Sequence, residues 1–459
     1  MSRGDSSPPR DKPLTSPISQ QLAGLLGADA VLPTDSYSID DVVPPAVVQP
    51  GDRKGVAQVM RWASQTGAKV SPYGGGILAG LGNLPDRIDV VLDLSRLNRV
   101  TDYQPADLTA TVEAGIALED MRRELAHGEK LAPLEAPFPG RATIGGILAT
   151  NCSGPLRFAY GLPRDWLIGV TVVGAGGQET KSGGRVVKNV TGYDLNKLYT
   201  GSLGTLGVIL EASFKLTPRA EARAGLAASF PTLKEALSAG RSLVSQVFVP
   251  QGVQVVNRAS AERLNLDLPN LPSGADGLIL ALAEGRPRAT ARRVEESASV
   301  LSDAGAANID RLQESDTVSL AQRVTDLGWD EQTRPFLGLK IDLPPSVLEQ
   351  FLDALQPVAG TGVIADVGFG TVQVFHWVNP FAQGGQEIDG AVAEIARVRA
   401  LARSLGGTVV VEHCAKPVKA AIDVWEGCAG ESELQIMRRI KEKFDPAGLL
   451  NPGRFIGRI

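Results

Sequence analysis

The spacing of apolar and polar positions predicts helices and strands along most of the chain. "ISQQLAGLLGAD" has helical spacing, and "PPAVVQPGDRKGVAQVMRWASQTGAKVSPYGGG" predicts a strand, a helix over about 53–66 and a second strand. "IDVVLDLSRL" and "LTATVEAG" show the β-branched alternation of strands, and "ALEDMRRELAHG" is typical of a short amphipathic helix. The first part of the chain is therefore expected to combine small sheets with helices.

Residues 140–217 are dense in glycine and in short strand-like runs such as "LGVILEASFKLTP". After Pro218 the sequence pattern changes, and strand-like runs are followed by longer helical ones. Examples are "GLILALAEG" before "ATARRVEESASVLSDAG" and "FLGLKIDLP" before "SVLEQFLDALQ". Repetition of this unit predicts the α+β class, with an antiparallel sheet that carries helices on one side. We expect a disordered tail followed by three regions, with bounds at 1–17, 18–218, 219–420 and 421–459.

Composition and charge are those of an ordinary globular protein and limit the kinds of partner that are expected. Of 459 residues, 43% are hydrophobic and 21% charged, and the net charge is −5. Because no basic patch stands out, nucleic acid is not an expected partner. No apolar run approaches the ~18 residues of a membrane-spanning helix, and the polar N-terminal stretch lacks the apolar core of a signal peptide. A cytoplasmic location is therefore expected.

Cysteine and histidine are scarce, which limits metal and redox-cluster chemistry. Cys152, Cys414 and Cys428 form no Cys-x-x-Cys pair and cannot supply the four thiolates of an iron–sulfur cluster. Only three histidines occur, so a histidine-rich metal site is not expected either.

Three glycine-rich stretches carry the strongest chemical signal. "PYGGGILAGLG" (72–82) follows a strand, and its successive glycines can direct backbone N–H groups into one concavity that binds phosphate oxygens. "RATIGGILATNCSG" (141–154) and "GYDLNKLYTGSLGTLGVILEASFKL" (192–216) allow close backbone approach to a flat or anionic ligand, although each alone also fits a plain turn. A fourth stretch, "VTVVGAGGQE", lacks the helix and third glycine of a dinucleotide fingerprint and is expected to be a hairpin turn.

Taken in order, these stretches resemble a known family. The segments "SPYGGG", "TVEAG", "RATIGGILATNCSGPLRFAYGLPRDWLIGV", "GGRVVKNVTGYDLNKLYTGSLGTLGVILEASFKLTP" and "KEKFDPAGLLNPGRF" resemble the FAD-linked oxidases of the vanillyl-alcohol oxidase type. The resemblance is most detailed to the FAD-binding subunits of bacterial glycolate oxidases. It implies a two-lobed FAD-binding domain of the vanillyl-alcohol oxidase (PCMH) type and an antiparallel-sheet cap domain. FAD would be bound non-covalently, since the phosphate loop contains no His or Cys.

The resemblance also assigns cofactor-binding residues. The first stretch would hold the pyrophosphate, and the second would line the diphosphate, the ribityl chain and the flavin. The third would contact the adenine half, and an asparagine near the C-terminus the flavin ring. In chain order these are Pro72, Tyr73, Gly74, Gly75, Gly76, Ile77, Thr143, Gly145, Gly146, Ala149, Asn151, Ser153, Gly154, Gly204, Gly207, Val208, Ile209 and Asn451. Ile77 stands where relatives usually have a threonine, which removes one phosphate hydrogen bond.

The chain departs from the family at the catalytic motifs. Catalytic relatives carry a His-x-Gly-Asp-Gly-Asn-x-His segment and a later Glu-His-Gly that together bind a divalent metal. Here "DVGFGTVQ" places Asp366 and Gln373 at the histidine positions, so no metal is expected. Glu412 and His413 remain from the later motif, and His413 is the candidate proton acceptor near flavin N5.

The remaining candidate side chains have structural interpretations. Strand alternation places His376 in the core, His127 ends a helix, and Arg454 near the C-terminus is expected to be solvated.

The function implied by the resemblance is hydride transfer from a small 2-hydroxy acid, such as glycolate or D-lactate, to flavin N5. Electrons would then pass to a second flavin subunit and an iron–sulfur subunit, which could hold the chain at the inner membrane. The missing metal histidines leave open a non-catalytic FAD-binding accessory subunit of a glycolate oxidase complex. A Rossmann-type NAD dehydrogenase is a third and weaker alternative.

Overall fold

The computed structural model describes residues 16–184, 193–266, 274–357, 360–379 and 387–459. The expected tail lies outside the described residues except for Ser16 and Pro17, and so does "RVVKNVTG". None of the helices in the described part of the chain is both long and apolar enough to cross a lipid bilayer. The α-helices are α1 (Pro17–Leu26), α2 (Arg53–Thr66), α3 (Leu118–Ala126), α4 (Ile144–Thr150), α5 (Arg157–Tyr160), α6 (Pro163–Trp166), α7 (Leu195–Tyr199), α8 (Leu233–Val244), α9 (Arg258–Arg263), α10 (Pro287–Asp303), α11 (Glu314–Asp326), α12 (Leu348–Leu355), α13 (Glu387–Ser404), α14 (Lys416–Ala421) and α15 (Glu431–Phe444).

The first lobe is a four-stranded sheet. Its strands are β1 (Val31–Leu32), β2 (Ala46–Val48), β3 (Val70–Tyr73) and β4 (Val90–Asp93), and their order is β1-β2-β4-β3. β2 and β3 both run parallel to β4, and α2 lies in the crossover between them. The Asp52 side chain caps the start of α2 by accepting a hydrogen bond of 2.8 Å from the Gly55 amide, and Gly67 ends the helix with a φ of 75°. The predicted helix over 53–66 is confirmed.

The second lobe is a five-stranded antiparallel sheet. Its strands are β5 (Val100–Gln104), β6 (Thr109–Glu113), β8 (Leu167–Val173), β9 (Glu179–Gly183) and β10 (Val208–Lys215), in the order β5-β6-β10-β8-β9. A separate ribbon pairs β7 (Lys130–Leu131) with β11 (Thr217–Pro218). β8 and β9 pair antiparallel on either side of "GAGGQ", which confirms the predicted hairpin turn and excludes a dinucleotide fingerprint there.

The third sheet, called the cap sheet, has eight strands whose described pairings are all antiparallel. Its order is β15-β12-β14-β13-β17-β18-β16-β19. The strands are β12 (Ala222–Phe230), β13 (Gly252–Asn257), β14 (Gly277–Gly285), β15 (Asn308–Leu312), β16 (Leu337–Asp342), β17 (Thr361–Asp366), β18 (Thr371–His376) and β19 (Thr408–Cys414). The predicted α+β class with an antiparallel cap is therefore confirmed.

The cap sheet carries helices on both faces, so the expectation of one-sided helices was wrong. α8, α10, α12 and α13 cover one face with side chains such as Phe351 and Val398. α9 and α11 cover part of the other face, where Val256, Leu278 and Ile364 are apolar and need burial. The rest of that second face is polar and is turned toward the first two lobes.

The C-terminal part of the chain returns from the cap to both lobes. On α15, Phe444 packs edge-on against Tyr199, with ring centroids 5.9 Å apart. Beyond α15 the chain lies along β3, where the Val70 amide donates to Leu449 at 2.8 Å and its carbonyl accepts from Asn451 at 3.0 Å. This contact places the last residues beside the glycine-rich loop that follows β3.

Candidate cofactor and substrate site

The loop after β3 lines a cavity of about 730 Å³ between the two lobes, called here the glycine cleft. Residues 74–77 line this cleft together with residues of α4. No described hydrogen bond is donated by the amides of Gly75, Gly76 or Ile77. Successive unpaired amides of this kind form an anion-binding concavity.

Side chains would not fit at the glycines of this loop. A Cβ atom on Gly74 would collide with the Thr143 hydroxyl, and one on Gly75 with the Arg141 carbonyl. Gly76 has a φ of 73°, a conformation that strains other residues. These glycines therefore let the loop lie directly against the segment that begins α4. Pro72, Tyr73 and Ile77 also line the cleft.

The second glycine-rich stretch forms α4 and its ends. Thr143 caps the helix by accepting the Gly146 amide at 3.3 Å, and both residues line the cleft with Ala149. Asn151 ends the helix with a φ of 53°, and its buried side-chain oxygen has no partner in the described part of the chain. Gly145 faces a side chamber of about 440 Å³ next to the cleft.

The third stretch supplies part of the same side chamber and part of the core. Gly204, Gly207 and Ile209 line the side chamber. Gly204 has a φ of 69°, whereas a Cβ atom on Gly207 would collide with Val172 of β8. Gly207 is therefore needed for strand packing whether or not a cofactor touches it. The side chain of Val208 is fully buried in the first-lobe core, so the structure places it away from these cavities.

The C-terminal segment completes the glycine cleft. Asn451 donates from Nδ2 to the Leu203 carbonyl at 2.7 Å, and its buried Oδ1 has no partner within the described ranges. Arg454 also lines the cleft, and its side chain pairs with Asp40 at 2.7 Å. The expectation that Arg454 is solvated was wrong, because this carboxylate from the opposite end of the chain neutralises it inside the protein.

A second space of about 980 Å³, called the polar cavity, lies between the glycine cleft and the cap sheet. Leu78, Thr150 and Cys152 line both spaces, so the two spaces adjoin each other. Ser153 and Gly154 lie at its margin. Its far wall is the open face of the cap sheet, which contributes Gln254, Lys340, Asp366, Thr371, Gln373 and Glu412.

Sequence reasoning missed the two cations of the polar cavity. Lys340 is the only charged residue within "FLGLKI", and an isolated charge in an apolar strand is a signal that could have identified it. Arg157 donates to the Thr371 hydroxyl at 3.0 Å and stacks on Phe369 at 3.6 Å from the ring centre. Together they give the polar cavity the means to bind a carboxylate.

A β-bulge sets the orientation of Glu412. His413 pairs with Gly338 and Val411 with Leu339, so Glu412 is the extra residue between them. Its side chain lines the polar cavity, and burial raises the pKa of its carboxyl group.

His413 packs beside the polar cavity. Its ring lies over Gly338 and 4.2 Å from the Trp329 ring centre, and its buried Nε2 has no partner in the described chain. Burial lowers its pKa to about 3, so the imidazole is neutral at ordinary pH. Its assignment as the proton acceptor remains a prediction, and Glu412 lines the cavity more directly.

The described residues contain no group of three His, Cys, Asp or Glu side chains arranged to hold a metal ion. Asp366 and Gln373 both line the polar cavity. His376 is buried with its Nδ1 at 3.3 Å from the Thr361 hydroxyl, as its strand position predicts.

Comparison with known proteins gives two family models that match. A model described as an FAD binding domain matches residues 44–183, and one described as the C-terminal domain of FAD linked oxidases matches residues 219–455. The chain is 25% identical over 423 residues to glycolate oxidase subunit GlcD of Bacillus subtilis, covering 91% of this chain and 90% of that protein. It is 29% identical over 429 residues to D-2-hydroxyglutarate dehydrogenase of Xanthomonas citri pv. viticola, covering 90% and 89%.

A solved structure has the same architecture. p-Cresol methylhydroxylase with substrate bound superposes with a TM-score of 0.71 over 95% of both chains, at 16% identity. At that identity the likeness concerns the fold alone.

Proposed function

Because this chain belongs to the FAD-linked oxidases, we propose that it oxidises a small 2-hydroxy acid in the polar cavity. The observation that carries the proposal is the adjacency of two spaces, one lined by unpaired amides and the other by two cations and two carboxyl groups. Relatives named for glycolate and D-2-hydroxyglutarate support the substrate class.

The residues of the glycine cleft fit FAD. The free amides of the loop suit a pyrophosphate, and the unpaired side-chain oxygen of Asn451 can accept a hydrogen bond from a ligand. When bound, FAD supplies the acceptor for a hydride, which no side chain can provide. Burial raises the pKa of the Cys152 thiol to about 11, so little thiolate is present to form a covalent link. Non-covalent binding is therefore part of the proposal.

Lys340 and Arg157 would hold the carboxylate of the acid. Both residues line the polar cavity. Lys340 is part of the cap sheet, and Arg157 packs against that sheet through its hydrogen bond to Thr371. A charge-assisted hydrogen bond of this type contributes about 1.5–3 kcal/mol to binding.

Glu412 would accept the hydroxyl proton. A carboxyl group with a raised pKa is a better base near neutrality than an ordinary one, and Glu412 lines the cavity in which the acid would lie. Gln254 and Gln373 supply neutral hydrogen-bonding groups on the same face.

Electron transfer to a partner completes the proposed cycle. The described residues contain no iron–sulfur ligand set, and the Bacillus subtilis relative is named as a subunit. We therefore propose a second flavin subunit and an iron–sulfur subunit as partners, with the chain in the cytoplasm and at a membrane only through them.

A second candidate is a non-catalytic FAD-binding accessory subunit. It is favoured by Asp366 and Gln373, which line the polar cavity at the positions where catalytic relatives have metal-binding histidines.

Anaerobic absorption spectra distinguish the two. We expect the flavin bands of the FAD-loaded chain to bleach on addition of glycolate or D-lactate. Lys340→Met should raise the half-saturating acid concentration about 10–100-fold, since one charge-assisted contact is lost. Lys181→Met, at an exposed cation on β9, is the matched control and should change nothing.

Flavin bands that stay oxidised with every 2-hydroxy acid tested would contradict catalysis and support the accessory function. A chain that takes up no FAD would contradict both candidates.

A further inference from the structure

A third space, called the basic cleft, lies between the second lobe and the cap and measures about 1370 Å³. One wall comes from α3, β7 and the residues after β7, and the other from β14 and α11. Only Thr325 is shared with the polar cavity. Gly154 lines the polar cavity and Leu156 the basic cleft, and their backbone amides donate hydrogen bonds of 3.2 and 3.0 Å to the side chain of Glu135.

Cations outnumber carboxylates in the basic cleft. Its charged lining residues are Arg122, Arg123, Lys130, Arg219, Arg223, Glu119, Glu135 and Glu284. Arg123 pairs with Asp120, and Arg223 pairs with Glu284, each at 2.9 Å. Arg122, Lys130 and Arg219 form no ion pair with a carboxylate in the part of the chain that the structure describes. Burial also raises the pKa of Glu135 to about 7, which reduces its negative charge at neutral pH.

The remainder of the lining is largely apolar. Leu131, Pro133 and Leu134 contribute from the second lobe, and Leu282 and Val318 from the cap. Val318 is 45% exposed although it is a large hydrophobic side chain on α11. Exposed apolar surface beside unpaired cations is complementary to a molecule with an anionic head and an apolar body.

We propose that the basic cleft is a second binding site, separate from the glycine cleft and polar cavity, for an organic carboxylate with an apolar body. The unpaired cations bind the carboxylate, and the leucine-rich wall takes the apolar part. The site does not depend on the proposed oxidation, because it uses none of the residues assigned to that reaction.

Octanoate is the probe, titrated by calorimetry into the FAD-loaded chain, with octan-1-ol as the uncharged analogue. We expect one saturable octanoate site and at least about tenfold weaker binding of the alcohol. The double variant Lys130→Met/Arg219→Met should bind octanoate about tenfold more weakly. Ala321→Trp keeps every charge but fills the cleft from α11, and it should abolish binding.

Two controls make the result specific to the basic cleft. Lys181→Met removes an exposed cation elsewhere, and Lys340→Met removes the cation of the polar cavity; both should bind octanoate as the parent chain does. The proposal is overturned if the parent shows no saturable binding at millimolar octanoate, or if binding survives Ala321→Trp. Loss of binding in Lys340→Met alone would also overturn it, because octanoate would then occupy the polar cavity.

Discussion

Glu412 and His413 are neighbours in the chain, yet their surroundings shift their pKa values in opposite directions. Burial disfavours the charged form of each, so it raises the pKa of the carboxyl group and lowers that of the imidazole to about 3. A base works best when its pKa is near the working pH. Glu412 is therefore the better proton acceptor, although His413 is the residue that the sequence motif first indicates.

Glu412→Gln should lower the rate of flavin reduction about 10²–10⁴-fold, because the variant lacks the proposed proton acceptor. His413→Gln is the matched control and should change that rate less than about tenfold. Stopped-flow absorbance with saturating glycolate or D-lactate measures both.

The same variants predict the pH dependence. A base must be deprotonated, so the parent's activity should fall as the pH drops through the raised pKa of Glu412. That acid limb should disappear from the residual activity of Glu412→Gln and persist in His413→Gln. An acid limb lost only in His413→Gln would assign the base to the histidine.

At the scale of elements, the loop after β3 depends on glycine for close packing. Gly75→Ala would drive a methyl group into the Arg141 carbonyl, whereas the nearest atom to a Cβ at Gly80 is 3.6 Å away. We expect Gly75→Ala to purify with little FAD and to lose about 1–3 kcal/mol of stability, while Gly80→Ala retains both. Flavin absorbance per chain and thermal unfolding provide the readout. Equal FAD content in the two variants would show that the loop geometry is not critical.

Gly207 has a different structural role, which is to allow β10 to pack against β8. Gly207→Ala should destabilise the chain by about 1–3 kcal/mol with or without FAD, since its methyl group collides with Val172. Val172→Ala should restore most of that stability in the double variant. Urea unfolding of the apoprotein measures the effect. If the double variant regains stability but not FAD affinity, Gly207 also contacts the cofactor.

The sequence predicted the glycine loops but not the polar cavity. The glycine loops were identifiable because backbone conformation and glycine are linked locally, and the family models confirm the resemblance that they indicated. The polar cavity was not identifiable from the sequence, because Gln254, Lys340 and Glu412 come from strands that are far apart in the sequence. The bulge after Val411 adds a further shift that alternation alone does not reveal. The cofactor roles of individual residues remain predictions.

At the scale of the whole molecule, one ion cluster joins distant parts of the chain. Asp40 binds Lys419 at 2.6 Å and Arg454 at 2.7 Å, and all three side chains are largely buried. Lys419 also donates to the Gly80 carbonyl. The cluster therefore connects an N-terminal segment, the glycine loop, α14 and the C-terminal segment, a connection between distant residues that no local pattern predicts.

Asp40→Asn should cost about 3–5 kcal/mol, because it leaves two buried cations without a counter-charge. Asp41→Asn, at the exposed neighbouring carboxylate, is the matched control and should cost little. Denaturant unfolding of the two variants tests this. Equal stability would mean that water or another group neutralises the cations.

The same cluster has a consequence for biosynthesis. Arg454 and Asn451 line the glycine cleft, and they are made after every other residue that lines it. On the ribosome the earlier domains can fold as they emerge, but the cleft lacks part of its wall until residue 454 has left the exit tunnel. FAD should therefore be retained only after residue 454 has emerged from the tunnel. Nascent chains arrested before it are expected to fold in part and to remain colourless.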